Sequence, residues 1–247
     1  MNPPDLFLNF IINLLAGIVG ILVVLWIERQ RRPRIFMDVG KHNEIGPNDP
    51  LGRSPAKWLY VQIHNKGMPR WLAWVYNRES AQSCRAWITF YHLDGNRVYD
   101  REMHARWSET PEPNVVVTEV SGNRTQADHP TAAPKDLMTI GGSSDRPCFV
   151  RLVNVQETID IPPGEHAKVD VVFRMADEDD CYGWCNDSYL YNWKHPGWRL
   201  EKGRYIAKVR VKTGGKEWVD TFLVENSVPY GDFRLVHDQG QMKHLRY

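Results

Sequence analysis

Residues 6–27 read LFLNFIINLLAGIVGILVVLWI, twenty-two positions without a charge. No other feature restricts the possible folds as much. At about 1.5 Å rise per residue such a helix crosses the roughly 30 Å hydrocarbon layer of a bilayer. A soluble helix of that length would carry a polar face. The flanks point to a retained anchor rather than a cleaved leader. Met1 to Asp5 holds no Lys or Arg, whereas the run is followed by ERQRRPR, with Arg29, Arg31, Arg32 and Arg34. A signal peptide has the opposite arrangement, a basic start and a shorter apolar core. By the positive-inside rule the arginines place the C-terminal side in the cytoplasm and the N-terminus outside. The expected location is therefore the cell membrane, with a single pass. The same arginines could attract anionic headgroups of the lipid bilayer, and Trp26 stands where an amphipathic ring favours the interface.

One side of this helix differs from the rest. Asn9, Asn13, Ala16, Gly17 and Gly20 fall at i, i+4, i+7, i+8 and i+11, on one face of a helix. Small residues permit close helix approach, and an amide in lipid gains from a partner. This face suits a homo-oligomer or pairing with another membrane helix. It is equally accounted for by a tolerated asparagine and incidental glycines.

Beyond the span, residues 28–33 form a basic juxtamembrane linker. Residues 34–236 form one β domain and 237–247 a tail, with 1–5 a short tail at the other end. Pro33 stops the helix. Period-two alternation marks strands at 58–65 (WLYVQIHN), with Leu59, Val61 and Ile63 on one face, and at 84–93 (CRAWITFYHL), with Cys84, Ala86, Ile88 and Phe90 on one face. At 166–175 the same rule puts Val169, Val171 and Phe173 together. Further strands are expected at 34–39, 115–120, 149–161, 204–212, 216–224 and 233–236. Asp94-Gly95 predicts a hairpin with 97–103. The Gly/Pro/Asn-rich stretch 42–55 reads as a loop. Residues 108–147 read as a long surface excursion carrying one strand. Strands and turns dominate, and no amphipathic helix follows the span, so the fold class is mainly β, an antiparallel sandwich.

Four short motifs add a resemblance: VQIHNKG at 61–67, AxxCxAxIxF at 81–90, IDIPPGE at 159–165 and GRYIAKVRV at 203–211. They resemble immunoglobulin-like sandwiches of the prokaryotic cell-adhesion-related kind. In those domains an Asn-x-Gly turn follows one strand, a Pro-Gly turn precedes another, and Gly-x-Tyr opens a third. The resemblance covers much of 56–224. It departs at 108–147 and at an aromatic insert around 181–198. It implies a fold and no activity.

Function is far less legible. With 31 Lys and Arg against 30 Asp and Glu the net charge is +1, which gives no electrostatic reason to expect nucleic acid. No GxSxG, HExxH, Walker or GxGxxG pattern is present, so neither an enzyme nor a cofactor is expected. The four cysteines, Cys84, Cys148, Cys181 and Cys185, read as free thiols in a reducing compartment. Cys181-xxx-Cys185 lacks a second ligand pair for zinc. The acidic run 177–180 lacks a calcium-loop pattern.

Two aromatic segments are candidate interaction sites. One is 68–78, with Trp71, Trp74 and Tyr76 beside arginines, suited to a membrane interface or to capping the domain end. The other is 177–198, with Tyr182, Trp184, Tyr189, Tyr191, Trp193 and Trp198, suited to anchoring a ligand or to a local mini-core. The expected protein is a membrane-anchored, non-enzymatic interaction or scaffold module with a protein partner. The alternative is an oligomeric membrane effector whose cytoplasmic domain senses a signal.

Overall fold

A computed structural model describes residues 3–45, 54–69, 77–119, 148–227 and 229–237. The chain opens on helix α1, Pro3–Arg31, whose apolar side chains from Phe10 to Trp26 stand exposed around the whole circumference. It is long and apolar enough to cross a membrane, and its candidate span runs Phe10–Arg31. The helix stops two residues before Pro33, which cannot continue the hydrogen-bond ladder.

Fourteen strands follow among the described residues: β1 Ile35–Val39, β2 Asn43–Ile45, β3 Ala56–Asn65, β4 Ala81–His92, β5 Met103–His104, β6 Asn114–Glu119, β7 Cys148–Val153, β8 Ile159–Ile161, β9 His166–Met175, β10 Cys181–Gly183, β11 Arg199–Leu200, β12 Arg204–Thr213, β13 Lys216–Glu225 and β14 Arg234–His237. They form two six-stranded antiparallel sheets. One has the order β1-β3-β9-β10-β11, with β2 also on β3; the other has β14-β13-β12-β4-β5, with β8 also on β4. A separate pair, β6-β7, makes up the third sheet.

The alternating residues of both large sheets meet in one core. Leu59, Val61 and Ile63 of β3 share it with Ala86, Ile88 and Phe90 of β4 and Val209 and Val211 of β12. The opposite face of β4 is also occupied. Trp87 donates its indole N–H to His104 Nε2 at 3.1 Å and lies under the Arg210 guanidinium at 4.6 Å, while Tyr91 packs with Ile206 and Leu223.

Four details differ from the alternation rules. The expected loop at 42–55 contains β2, whose three residues pair with β3. The run 149–161 is broken into β7 and β8, because Asn154 takes a left-handed backbone (φ 61°) that asparagine tolerates better than most. β7 pairs with β6, so it belongs to the excursion rather than to the main sheets. The partner of β4 in the Asp94-Gly95 hairpin is reduced to a bridge at Arg97 and the two residues of β5, with 99–102 diverted towards Trp198.

The helix is tied to the domain by backbone groups. Glu79 N–H donates to the Arg31 carbonyl at 2.7 Å, and Lys66 N–H donates to the Arg34 carbonyl at 2.9 Å. Arg78 donates to the carbonyls of Gln30, Lys66 and Gly67. Asn65, fully buried, completes the joint. Its Oδ1 accepts from Arg34 N–H at 3.2 Å, and its Nδ2 donates to the carbonyls of Glu79 at 3.1 Å and Ile161 at 3.0 Å. The Asn65–Gly67 and Pro162–Glu165 turns therefore lie together. A Cβ on Gly67 would sit 3.4 Å from Gly164 Cα, and Gly164 itself adopts φ +85°.

Candidate functional site

Strand β9 carries the feature that builds the site. Strict alternation would put Val169, Val171 and Phe173 on one face. Instead the register with β3 shifts between Leu59 and Tyr60: Trp58 pairs with Phe173, Leu59 with Val172 and Tyr60 with Asp170. One residue is bulged out. Val169, Val171 and Val172 all enter the main core, and Phe173 turns to the opposite face of the sheet. Asp170 faces outward by alternation, and the bulge re-aims Phe173 onto the same outer face beside it, as bulges do.

Phe173 then seeds a second cluster with Ala56, Tyr182 and Trp184, against which Trp58, Met175, Tyr189 and Trp193 pack. Trp58, Trp184 and Trp193 form a near-equilateral triangle, with ring centroids 5.9 to 6.1 Å apart and interplanar angles of 71 to 83°. Phe173 packs against all three at 5.3 to 6.1 Å. Edge-on geometry of this kind is favourable for aromatic rings. Trp193 is held there by a strained backbone. Asn192 and Trp193 are consecutive residues at φ 48° and 74°, anchored by Trp193 N–H to the Ser188 carbonyl at 2.8 Å. A bulky residue in the left-handed region is uncommon, and such strain gathers at functional sites.

Beside the tryptophans lies a buried ion pair. Residues 106–108 run along the edge of β9. Asp170 N–H donates to the Arg106 carbonyl, Ser108 N–H donates to the Lys168 carbonyl, and Trp107 bridges Val169. Trp107 points into the core, so Arg106 and Ser108 flank it on the outer face. Arg106 Nη1 donates to Asp170 Oδ2 at 3.1 Å, Ser108 Oγ donates to Asp170 Oδ1 at 2.6 Å, and Arg106 Nη2 donates to the Thr110 carbonyl at 2.8 Å. Both charged side chains are only 7% exposed. Burial pushes the Asp170 carboxyl up to about 6, against the pull of Ser108 and Arg106. Arg106 Nε is buried with no hydrogen-bond partner, a costly state that a ligand acceptor or water would relieve.

These groups line a cavity of about 270 Å³ with Asn43, Glu44, Ile45, Trp58, Ser108, Glu112, Trp184, Tyr189 and Trp193. Burial pushes the Tyr189 hydroxyl up to about 12; Arg106 opposes this and Glu112 adds to it. The Arg106 guanidinium stands 5.6 Å from the Tyr189 ring centroid.

The aromatic insert is thereby divided. Trp184, Tyr189 and Trp193 line the cavity, with Tyr182 buried behind them. Trp198 belongs to the main core, edge-on to Tyr99 at 5.1 Å and under Arg101 at 4.7 Å. Tyr191, half-buried, packs against His195 with ring centroids 4.3 Å apart and the planes tilted by 54°. Trp71, Trp74 and Tyr76 lie outside the described residues, although Gly67 and Arg78 on either side adjoin the end of α1. On the helix, Asn13, Ala16, Gly17 and Gly20 are exposed; Asn9 lies within α1, but its side chain is not described.

Arg31 pairs with Glu28 at 3.3 Å and Arg34 with Gln30 at 2.6 Å, while Arg29 and Arg32 are exposed. A wider cavity of about 770 Å³ opens there between Arg32, Glu79, Thr213, Lys216 and Trp218.

Cys84, Cys181 and Cys185 are free and buried. Burial raises all three thiols, Cys84 and Cys185 to about 11. No group of three metal-ligating side chains comes together among the described residues. Trp58, Arg106, Ser108 and Asp170 were not marked by any sequence pattern. The chain matches no protein-family model, and no curated protein or solved structure is significantly similar to it.

Proposed function

We propose that this chain is a membrane-anchored binding module, non-enzymatic, whose single helix holds an immunoglobulin-like β-sandwich at the cytoplasmic surface. The cavity on the outer face of β9 is its ligand site. Three lines support the sandwich. The pairings β1-β3-β9 and β13-β12-β4 follow the A-B-E and G-F-C order of immunoglobulin domains. Tyr205, at the start of β12, donates its hydroxyl to the Glu201 carbonyl at 3.1 Å, the bond of a tyrosine corner. One core serves both sheets. The departure is at the D position, where β10 follows β9 in sequence instead of preceding it.

The observation that carries the binding reading is the cavity itself. Three mutually edge-on tryptophans, one on a strained backbone, sit beside a buried arginine with an unused donor. A packed core alone has no need of that donor. The arginines after the span support the cytoplasmic side.

The test is purification of the intact chain from native membranes in gentle detergent, as wild type and as Trp193→Gly. Glycine suits the left-handed backbone and removes the ring. A component at fixed stoichiometry, lost in the variant while the domain stays folded, supports the module. A pure homo-oligomer, unchanged by Trp193→Gly and dissociated by Gly20→Leu, supports the alternative of an oligomeric effector. The exposed Asn13, Ala16, Gly17 and Gly20 face favours that alternative; a Cβ on either glycine would meet nothing within 4 Å.

A further inference from the structure

Aromatic lining and charge together define what the cavity on β9 can hold. The lining offers three indoles, set at 71 to 83° to one another, and the Tyr189 ring. The face of such a ring is its electron-rich side. The charges lean the same way. Arg106 is the lining cation, and it is already held by Asp170 and the Thr110 carbonyl. Glu44 and Glu112 are additional carboxylates on the lining, both exposed; Glu112 lies against the Tyr189 hydroxyl, and among the described lining residues no other arginine or lysine faces them. Among the described residues Glu44 lies 3.7 Å from His42 and against the Tyr230 hydroxyl, neither of them a permanent cation. With the Arg106–Asp170 pair neutral overall, the described lining residues carry an excess of negative charge. Indole faces together with unneutralised carboxylates are the environment that recognises an alkylated ammonium group.

Size and position narrow this further. At about 270 Å³ the cavity admits a head group rather than a drug-sized molecule. Along β3, Trp58 lies seven residues from Asn65 at the helix joint, about 23 Å at roughly 3.3 Å per residue. That separation from the helix joint favours a ligand from the aqueous phase over one in the headgroup layer around the helix. Arg106 Nε, buried and unpartnered, offers one donor to a hydroxyl or carbonyl near the ammonium.

We propose that the cavity bounded by Trp58, Trp184, Tyr189 and Trp193 binds a water-borne alkylated ammonium group, of the choline or trimethyl-lysine type. This rests on the reading of that cavity as the ligand site. The test uses the full chain in a polyoxyethylene detergent, which carries neither choline nor sugar. Tryptophan fluorescence is titrated with choline, with its neutral isostere 3,3-dimethylbutan-1-ol, with a trimethyl-lysine peptide and with cellobiose. The expected result is saturable quenching by choline or the peptide at least tenfold tighter than by the isostere. Trp193→Gly should weaken it at least tenfold, and Glu112→Gln, at an exposed position that does not threaten folding, severalfold. Equal affinity for the isostere, or saturation by cellobiose alone, overturns the cation class and leaves the binding module standing. Response to choline only when it is presented on phosphatidylcholine vesicles overturns the water-borne source. Absence of any saturable response overturns the proposal; if Trp193→Gly also leaves the co-purifying component unchanged, the binding-module reading falls with it.

Discussion

Removing the Asn65 side chain should loosen the joint between anchor and domain by an amount that can be worked out from its bonds. The amide is fully buried and serves three backbone groups on three segments: Arg34 N–H, the Glu79 carbonyl and the Ile161 carbonyl. In Asn65→Ala each loses its partner in a place water does not reach easily. A typical hydrogen bond contributes about 1 kcal/mol net, and a buried group left unsatisfied costs about 1–3 kcal/mol. Three such losses amount to about 3 kcal/mol or more. For a domain of this size, about 1 kcal/mol corresponds to roughly 2–4 °C in midpoint, so the variant should melt about 6–12 °C below wild type. Circular dichroism of the intact chain in detergent, followed at a β-sheet wavelength, measures this directly. Asn65→Asp keeps the acceptor for Arg34 N–H, but it replaces two donors by a buried carboxylate facing two carbonyls. It should be at least as destabilising. A drop of less than about 2 °C for Asn65→Ala would refute the reasoning, because it would mean that those groups are not buried or not paired through this amide.

Other positions give independent checks. Tyr205→Phe removes one hydrogen bond, to Glu201, at constant shape, and should cost about 1 kcal/mol in urea unfolding. Gly183→Ala places a Cβ 2.8 Å from Met103 Sδ and 3.1 Å from Trp198 Cβ, both on core residues; overpacking there should cost about 1–3 kcal/mol by the same assay. Trp193→Gly trades ring contacts for relief of a left-handed backbone, and its stability should fall less than the roughly 3–5 kcal/mol usual for deleting a core tryptophan. Asp170 titrates at about 6, above the ordinary carboxylate value. The native state therefore holds more protons between about pH 4 and 6, and this group's contribution to stability falls as pH rises through that window. Asp170→Asn should remove that component of the stability-versus-pH curve, read as the difference between the two proteins.

Much of the fold is written in local patterns, and the site is not. The long apolar helix, the apolar alternation of β3 and β4 and the turns around Gly95 and Gly164 are all local signals. Each is enforced by one physical rule, such as hydrocarbon thickness, one buried face or a left-handed turn. β2, β10 and β11 are two or three residues long and exist because a longer strand offers an edge. That is a tertiary cause with no trace in their own composition. The cavity depends on still longer relations. Asp170 and Arg106 are 64 residues apart, and Trp58 meets Trp184 and Trp193 across more than a hundred. The bulge at Val171 that turns Phe173 outward is invisible to period-two reading, because a valine-rich run satisfies either face. The crowding of aromatics at 181–198 was legible. Its division between a cavity wall, Trp198 in the main core and Tyr191 on His195 was not.

The account stands on one helix holding the β domain at the cytoplasmic face, and vesicles of known orientation test that most directly. Protease is added to right-side-out and inverted membrane vesicles carrying the intact chain, and each sample is then washed in alkaline carbonate. The account predicts that the β domain is cut only in inverted vesicles and that uncut chain stays with the membrane after the wash. Cleavage in sealed right-side-out vesicles, or release of the whole chain by carbonate, would contradict it.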